Sequence, residues 1–252
     1  MRIKCVLVLI ICILILSACS QFKAPSQPPS AETKNFKLNL DEGISALNQG
    51  DYEKAIFYLS QAASLNPKSS MTSNLLGIAY FQKKEYQLAK TQFEKAIALK
   101  PSYAEAFNNL GSAYFVLRDL EKAKEMFKKA IDLSPNIVSP HYSLGNILLT
   151  QGYTEEGLSF LSKGIALDPE YLDKHQSFVT ELAMSDIKTS ELYFSYARLY
   201  AATENVKKTL EYLEKAESAH FEDWERILNE KEFEKVKDDP RIQEFIKRRF
   251  PE

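Results

Sequence analysis

Residues 76–101 read LGIAYFQKKEYQLAKTQFEKAIALKP, and residues 110–135 read LGSAYFVLRDLEKAKEMFKKAIDLSP. The two stretches match at Leu76-Gly77 and Leu110-Gly111, Tyr80 and Tyr114, Ala89 and Ala123, Phe93 and Phe127, Ala96 and Ala130, and Pro101 and Pro135. The same marks recur on both sides. Gly43, Gly77, Gly111 and Gly145 are 34 residues apart, and so are Pro67, Pro101, Pro135 and Pro169. Two interlocked registers of one period identify a repeat array over 36–171. A period of this length implies stacked helix pairs, each burying its apolar face on its neighbours.

Each repeat predicts a helix A, a tight turn and a helix B. The turns fall at Gly50-Asp51, Lys84-Glu85, Arg118-Asp119 and Gly152-Tyr153. Glycine at two of them permits a positive φ after helix A. The prolines end helix B, because proline cannot continue it and disfavours helix at the residue before. Gly77, Ala89 and Ala96 set a short distance where helices cross, and Leu76, Tyr80 and Phe93 fill the spaces between neighbours. Gly111 therefore reads as a packing position. Repeat one has Ala46 where later repeats carry Tyr or Leu. Repeat four has Gly157 and Gly164 in place of Ala. Each glycine costs a helix interior about 1 kcal/mol, so this helix B is expected to be the weakest.

After Pro169 the period fails. Residues 172–189 read as an insertion or a lone helix. Residues 190–217 restore the pattern through Tyr196-Ala197, Tyr200, Leu213 and Ala216, as a degenerate fifth repeat displaced by about 18 residues. Residues 218–252 place Phe221, Trp224, Ile227 and Leu228 at helical spacing and continue to Phe245. They read as a helical C-terminal cap for the last repeat's apolar face. Lys247, Arg248 and Arg249 read as a solvated helix end.

The Leu-Gly, Tyr, Ala, Phe, Ala, Pro pattern resembles the tetratricopeptide repeat. The resemblance implies an all-α, right-handed superhelical solenoid of antiparallel helix pairs that binds protein or peptide partners through its concave face. In that family, positions two, five, nine, twelve and thirteen of helix A line the groove. The matching residues are Met71, Asn74, Ile78, Phe81 and Gln82, then Glu105, Asn108, Ser112, Phe115 and Val116, then Ser139, Tyr142, Asn146, Leu149 and Thr150. Only Glu105 among them is charged. The Lys and Arg of the family's carboxylate clamp are missing, so capture of an acidic peptide terminus is not expected. Asn74, Asn108, Asn109 and Asn146 suit the backbone of an extended chain, since an amide side chain both donates and accepts. Phe81, Phe115 and Tyr142 would take its apolar side chains. The opposing reading is that the protein's own helices or tail fill the groove.

The N-terminus has a different character. Arg2 and Lys4 precede an unbroken apolar run, Val6 to Leu16. A membrane-spanning helix needs about 20 apolar residues, so this run suits the centre of an export signal over 1–18. Leu16-Ser17-Ala18-Cys19 resembles the bacterial lipoprotein processing box. The resemblance implies diacylglycerol, and further acylation such as palmitate, on Cys19 as first residue of the mature chain. Ser20 implies delivery to the outer membrane, facing the periplasm, in a two-membrane cell. Residues 20–35, with Pro25, Pro28 and Pro29, read as a disordered tether reaching at most about 55 Å.

The chain has 252 residues, 45% hydrophobic and 26% charged, with net charge -2, so it is long enough for a core and no basic face for nucleic acid is expected. Cys5, Cys12 and Cys19 are its three cysteines, so the repeats have no thiolate metal site or disulfide frame. His141, His175 and His220 are scattered, and no nucleophile, phosphate loop or metal motif occurs. Neither an enzyme nor a cofactor protein is expected. The reading is a lipid-anchored envelope scaffold that helps assemble a pilus, secretin or cell-wall complex. Its alternatives are a chaperone-like holder of exported chains, an accessory subunit of an envelope hydrolase, and a homo-oligomer using its groove on itself. Cys19→Ser is expected to abolish fatty-acid labelling and processing at this site; a labelled, processed variant would refute the anchor.

Overall fold

Sterics at the A–B crossing shape the computed structural model, which describes residues 30–174 and 189–250, less the side chains of Leu172 and Asp173. Four antiparallel pairs form: α1 Ala31–Asn48 with α2 Tyr52–Leu65, α3 Ser70–Gln82 with α4 Tyr86–Leu99, α5 Ala104–Val116 with α6 Leu120–Leu133, and α7 Val138–Thr150 with α8 Thr154–Leu167. A fifth pair follows, α9 Thr189–Ala202 with α10 Val206–Ser218, then a short turn at Arg226–Asn229 and α11 Pro240–Arg249. All described regular elements are helical, and none is long and apolar enough to cross a membrane. Each pair packs on the next, and α1, α3, α5 and α7 touch in a row. The chain is an all-α solenoid.

The first helix starts earlier than its sequence suggests. Residues 31–35, expected in the tether, belong to α1. Ser30 caps it by accepting from the Thr33 amide at 3.2 Å, and Glu32 suits the positive end of the helix dipole.

The A–B turns are built alike. Gly50, Lys84, Arg118 and Gly152 all have positive φ, between 64° and 82°. Lysine and arginine thus adopt the left-handed conformation that glycine makes easy. The return is a fixed bond pair: Lys84 N donates to Phe81 O at 2.9 Å and Glu85 N to Tyr80 O at 2.9 Å, closing the last carbonyls of α3. Asp51 and Asp119 then cap the next helix by accepting from the amides of Lys54 and Lys122. In the fifth pair Glu204 takes this place with φ 60°, one period plus 18 residues after Gly152.

The glycines at the crossing have no room for a side chain. A Cβ on Gly43 would lie 2.6 Å from Leu59 and one on Gly77 2.5 Å from Phe93, while one on Gly111 would lie 2.8 Å from Phe127. In repeat four the approach involves both backbones: a Cβ on Gly145 would meet Gly157 O at 2.9 Å, and one on Gly157 would meet Gly145 O at 2.8 Å. Gly164 makes room for the Tyr142 ring, 2.8 Å from an added Cβ. The repeat-four glycines are therefore packing requirements, and their helix-propensity cost buys close contact.

The two ends of the solenoid differ. On α1, the face that would meet a preceding repeat carries Asn39, Glu42 and Ser45, where later repeats bury Phe107, Leu110 and Ala113. Leu38 is 60% exposed there. At the other end α9, α10 and residues 221–245 share one buried cluster, including Phe194, Phe221, Phe233, Val236, Ile242 and Phe245. Phe194 and Phe221 stack at 4.3 Å, and Trp224 meets Phe221 and Phe245 edge-on. Arg249 is not a solvated helix end. Its guanidinium lies 4.5 Å from the centres of both the Trp224 and Phe245 rings, and it pairs with Glu217.

Because the Phe127 ring is fully buried, it has little freedom to retreat from a new methyl group. Gly111→Ala is expected to destabilise by about 1–3 kcal/mol, overpacking outweighing the gain in helix propensity, and Gly111→Leu by more. Urea unfolding checks this; an unchanged midpoint for both would refute the crossing geometry.

Candidate functional site

The face formed by successive A helices is open over repeats two and three and closed over repeat four. Met71 is exposed, and Ile78, Phe81, Asn108, Asn109, Ser112 and Val116 are half-buried. Phe81 packs edge-on against Tyr86 at 5.3 Å, leaving part of its ring in solvent. Three asparagines link the two repeats across the floor. Asn109 Nδ2 donates to Asn74 Oδ1 at 3.0 Å, and Asn108 Nδ2 points to Asn109 Oδ1 at 3.4 Å. Asn108 Oδ1 is buried and finds no donor among the described residues. Ser112 is tied back, donating to Asn108 O at 3.2 Å. At the groove edge, burial raises the Tyr103 hydroxyl pKa and the nearby Glu105 charge adds to this, while a hydrogen bond with Asn74 opposes it.

Several expected groove residues lie elsewhere. Tyr142 is 1% exposed, stacks on Tyr171 at 4.8 Å and donates its hydroxyl to Asp168 O at 3.1 Å. It is a core residue and not an anchor for a partner. Asn146 is fully buried, and its Oδ1 accepts from Tyr196 Oη of α9 at 2.5 Å. Leu149 packs in the cluster that joins α7 to α9 and α10. Phe115 is 4% exposed and packs with Phe127, Leu144 and Ile147. The protein's own fifth pair thus occupies repeat four, and the open groove is two repeats long. The Tyr142–Gly164 pairing was visible in the sequence: a large residue appears where repeats two and three have Asn, and Gly appears where they have Ala.

One residue that holds this arrangement has no repeat signal. Arg198 of α9 is 3% exposed. Its Nη2 reaches Glu155 Oε1 of α8 at 3.0 Å, Glu230 Oε2 at 3.1 Å and Glu232 Oε2 at 3.2 Å. Arg226 extends the network to Glu230 and back to Glu191 of α9. One cation thus ties repeat four, the fifth pair and the closing segment. Among the described residues no group of three His, Cys, Asp or Glu side chains is placed to hold a metal ion. His141 is buried, its Nε2 2.9 Å from Pro135 O.

Models of the tetratricopeptide repeat match residues 37–69, 77–117, 104–137 and 138–171. No curated protein matches the chain. Among solved structures it is similar to the MamA protein, at 20% identity over 79% of this chain and 96% of that one, with a TM-score of 0.52. A MamA fragment from Desulfovibrio magneticus RS-1 is 21% identical over 75% and 97%, TM-score 0.53. YrrB, described as a TPR protein with an unusual peptide-binding site, is 21% identical over 80% and 98%, TM-score 0.50. At these identities the likeness concerns the fold.

Removing Arg198 would leave Glu230 and Glu232 facing each other, with 24% and 12% of their side-chain surface exposed. Arg198→Met is therefore expected to cost about 3 kcal/mol and to expose residues 221–250 to protease before the repeats. Equal proteolysis in variant and wild type would refute its tying role.

Proposed function

We propose that this chain, a tetratricopeptide-repeat scaffold for protein–protein interaction, takes an extended partner segment along the open groove of repeats two and three. The observation that carries this is the asparagine row in a groove whose one charge is Glu105. Asn108 and Asn109 are half-buried and offer amide groups to a partner's backbone, while Ile78, Phe81 and Val116 cover its apolar side chains. YrrB, the similar protein named for its peptide-binding site, supports a peptide as the kind of occupant.

The same proposal places the scaffold in a bacterial envelope, tethered by lipid on Cys19. The signal and processing box lie outside the described residues, and the support is the sequence pattern alone. With α1 beginning at Ala31, the spacer 20–29 reaches at most about 35 Å, so the groove works close to the membrane. A partner is then an envelope protein, and the role is assembly of an envelope complex. The polar leading face of α1, with Asn39, Glu42 and Ser45, offers little to an end-to-end copy of the chain.

The test is recovery of partners by cross-linking from membranes. Ile78→Ala with Phe81→Ala is expected to reduce recovery more than tenfold, at least about 1.4 kcal/mol, in a variant that melts lower, because both side chains also pack on the core, but remains folded at the assay temperature. Salt should matter little, since Glu105 is the one charge among the expected groove positions. Undiminished recovery would exclude this groove.

A further inference from the structure

A second concavity lies on the outer side of the junction between repeats three and four. It is a groove of about 340 Å³ between α6, α7 and α8, lined by the apolar Leu144, Leu148 and Phe160, by Lys124, Lys128 and Tyr153, and by the carboxylates of Glu121, Glu125 and Glu156. One departure from the repeat lies in its lining, at Leu148. At the other three junctions the corresponding position is tyrosine: Tyr80, Tyr114 and Tyr200. Tyr114 shows how that tyrosine is held. Its ring packs into the clusters on either side, its hydroxyl donates to Glu94 Oε1 of α4 at 3.2 Å, and the Lys90 ammonium lies 5.8 Å from the ring centre. At the third junction Leu148 replaces the tyrosine, Lys124 stands for Lys90, and Lys128 stands for Glu94. Lys128 is exposed and makes no ion pair or hydrogen bond among the described residues.

We propose that this groove binds the tyrosine side chain of a partner polypeptide. The shape argument is internal to the molecule: the space that Leu148 leaves is the one a tyrosine fills at the neighbouring junctions. The volume lies at the lower end of the range for ligand pockets, enough for one ring. The electrostatic argument concerns the ring's far end. Where Tyr114 donates a hydrogen bond to one carboxylate, a guest meets the ammonium of Lys128, which donates to the phenol oxygen, beside the Glu125 and Glu156 carboxylates, which accept from the phenol O–H. Lys124, held by Glu121 and Gln151, offers a cation near the ring, as Lys90 does to Tyr114. Tyrosine combines a large apolar body with a polar tip, the combination this site asks for. None of these residues lines the open groove of repeats two and three, so this site stands or falls independently of that one.

The test is a titration of the full chain, methyl-labelled at leucine, with N-acetyl-tyrosinamide, N-acetyl-phenylalaninamide and N-acetyl-leucinamide. Tyrosinamide is expected to give saturable shifts of the Leu144 and Leu148 methyls, several-fold tighter than phenylalaninamide and at least tenfold tighter than leucinamide. Leu148→Tyr fills the groove from within and is expected to abolish tyrosinamide binding at unchanged or higher melting temperature. Lys128→Met, an exposed change safe for folding, should remove the preference for tyrosine over phenylalanine. The Ile78→Ala, Phe81→Ala variant should titrate like the wild type. No saturable shift in the wild type, equal response to leucinamide, or binding that survives in folded Leu148→Tyr would overturn the proposal.

Discussion

The close crossing of helices A and B is the constraint on which the rest depends. At Gly43, Gly77, Gly111 and Gly145 a leucine or phenylalanine of helix B lies against the backbone of helix A, nearer than any Cβ would allow. That contact fixes the distance and angle of each pair. Identical pairs, joined by identical turns, stack at a constant offset. The A helices then form a continuous row, and the groove is a product of that offset. In the fifth pair Ala197 and Leu213 hold the corresponding positions, both fully buried. There the A position tolerates one methyl group.

Repeat four shows how a repeat changes role without leaving the fold. Tyr142 enters the space between its own helices because Gly164 vacates it, and it then stacks on Tyr171. Asn146, one of the expected peptide ligands, bonds to Tyr196 of the fifth pair. Residues that would otherwise have faced a partner now hold the closing unit. In repeats two and three the corresponding Ile78, Asn108 and Ser112 remain partly in solvent, while Asn74 is buried and bonded to Asn109.

The fold was legible because it rests on size at fixed intervals. Gly43 to Gly145 and Pro67 to Pro169 encode a packing distance and a helix stop, and both are properties of single residues. The turns were less legible, because Lys84 and Arg118 carry no sign of the left-handed backbone that their neighbours' hydrogen bonds impose. The site was legible only as a set of positions. Which of them remain open depends on α9, whose approach is governed by Arg198 and its carboxylates, 32 to 43 residues distant in sequence. No local pattern reports such a contact. Phe115 was misplaced for a related reason: a ring on the right face of a helix is taken up by the following repeat.

The unequal ends give the molecule a direction. In a stack of nearest-neighbour units, loss of structure proceeds most easily from the end with the weakest interface. At α1 the outer face carries Asn39, Glu42 and Ser45, Leu38 is 60% exposed, and among the described residues α2 and α3 are the main support of the helix. At the far end three segments converge on one aromatic cluster and one buried guanidinium. Backbone amides should therefore exchange with solvent in order along the chain, first in α1 and last in α9 and α10. Fraying would begin beside the N-terminal segment, and the repeats that carry the groove would open only after it.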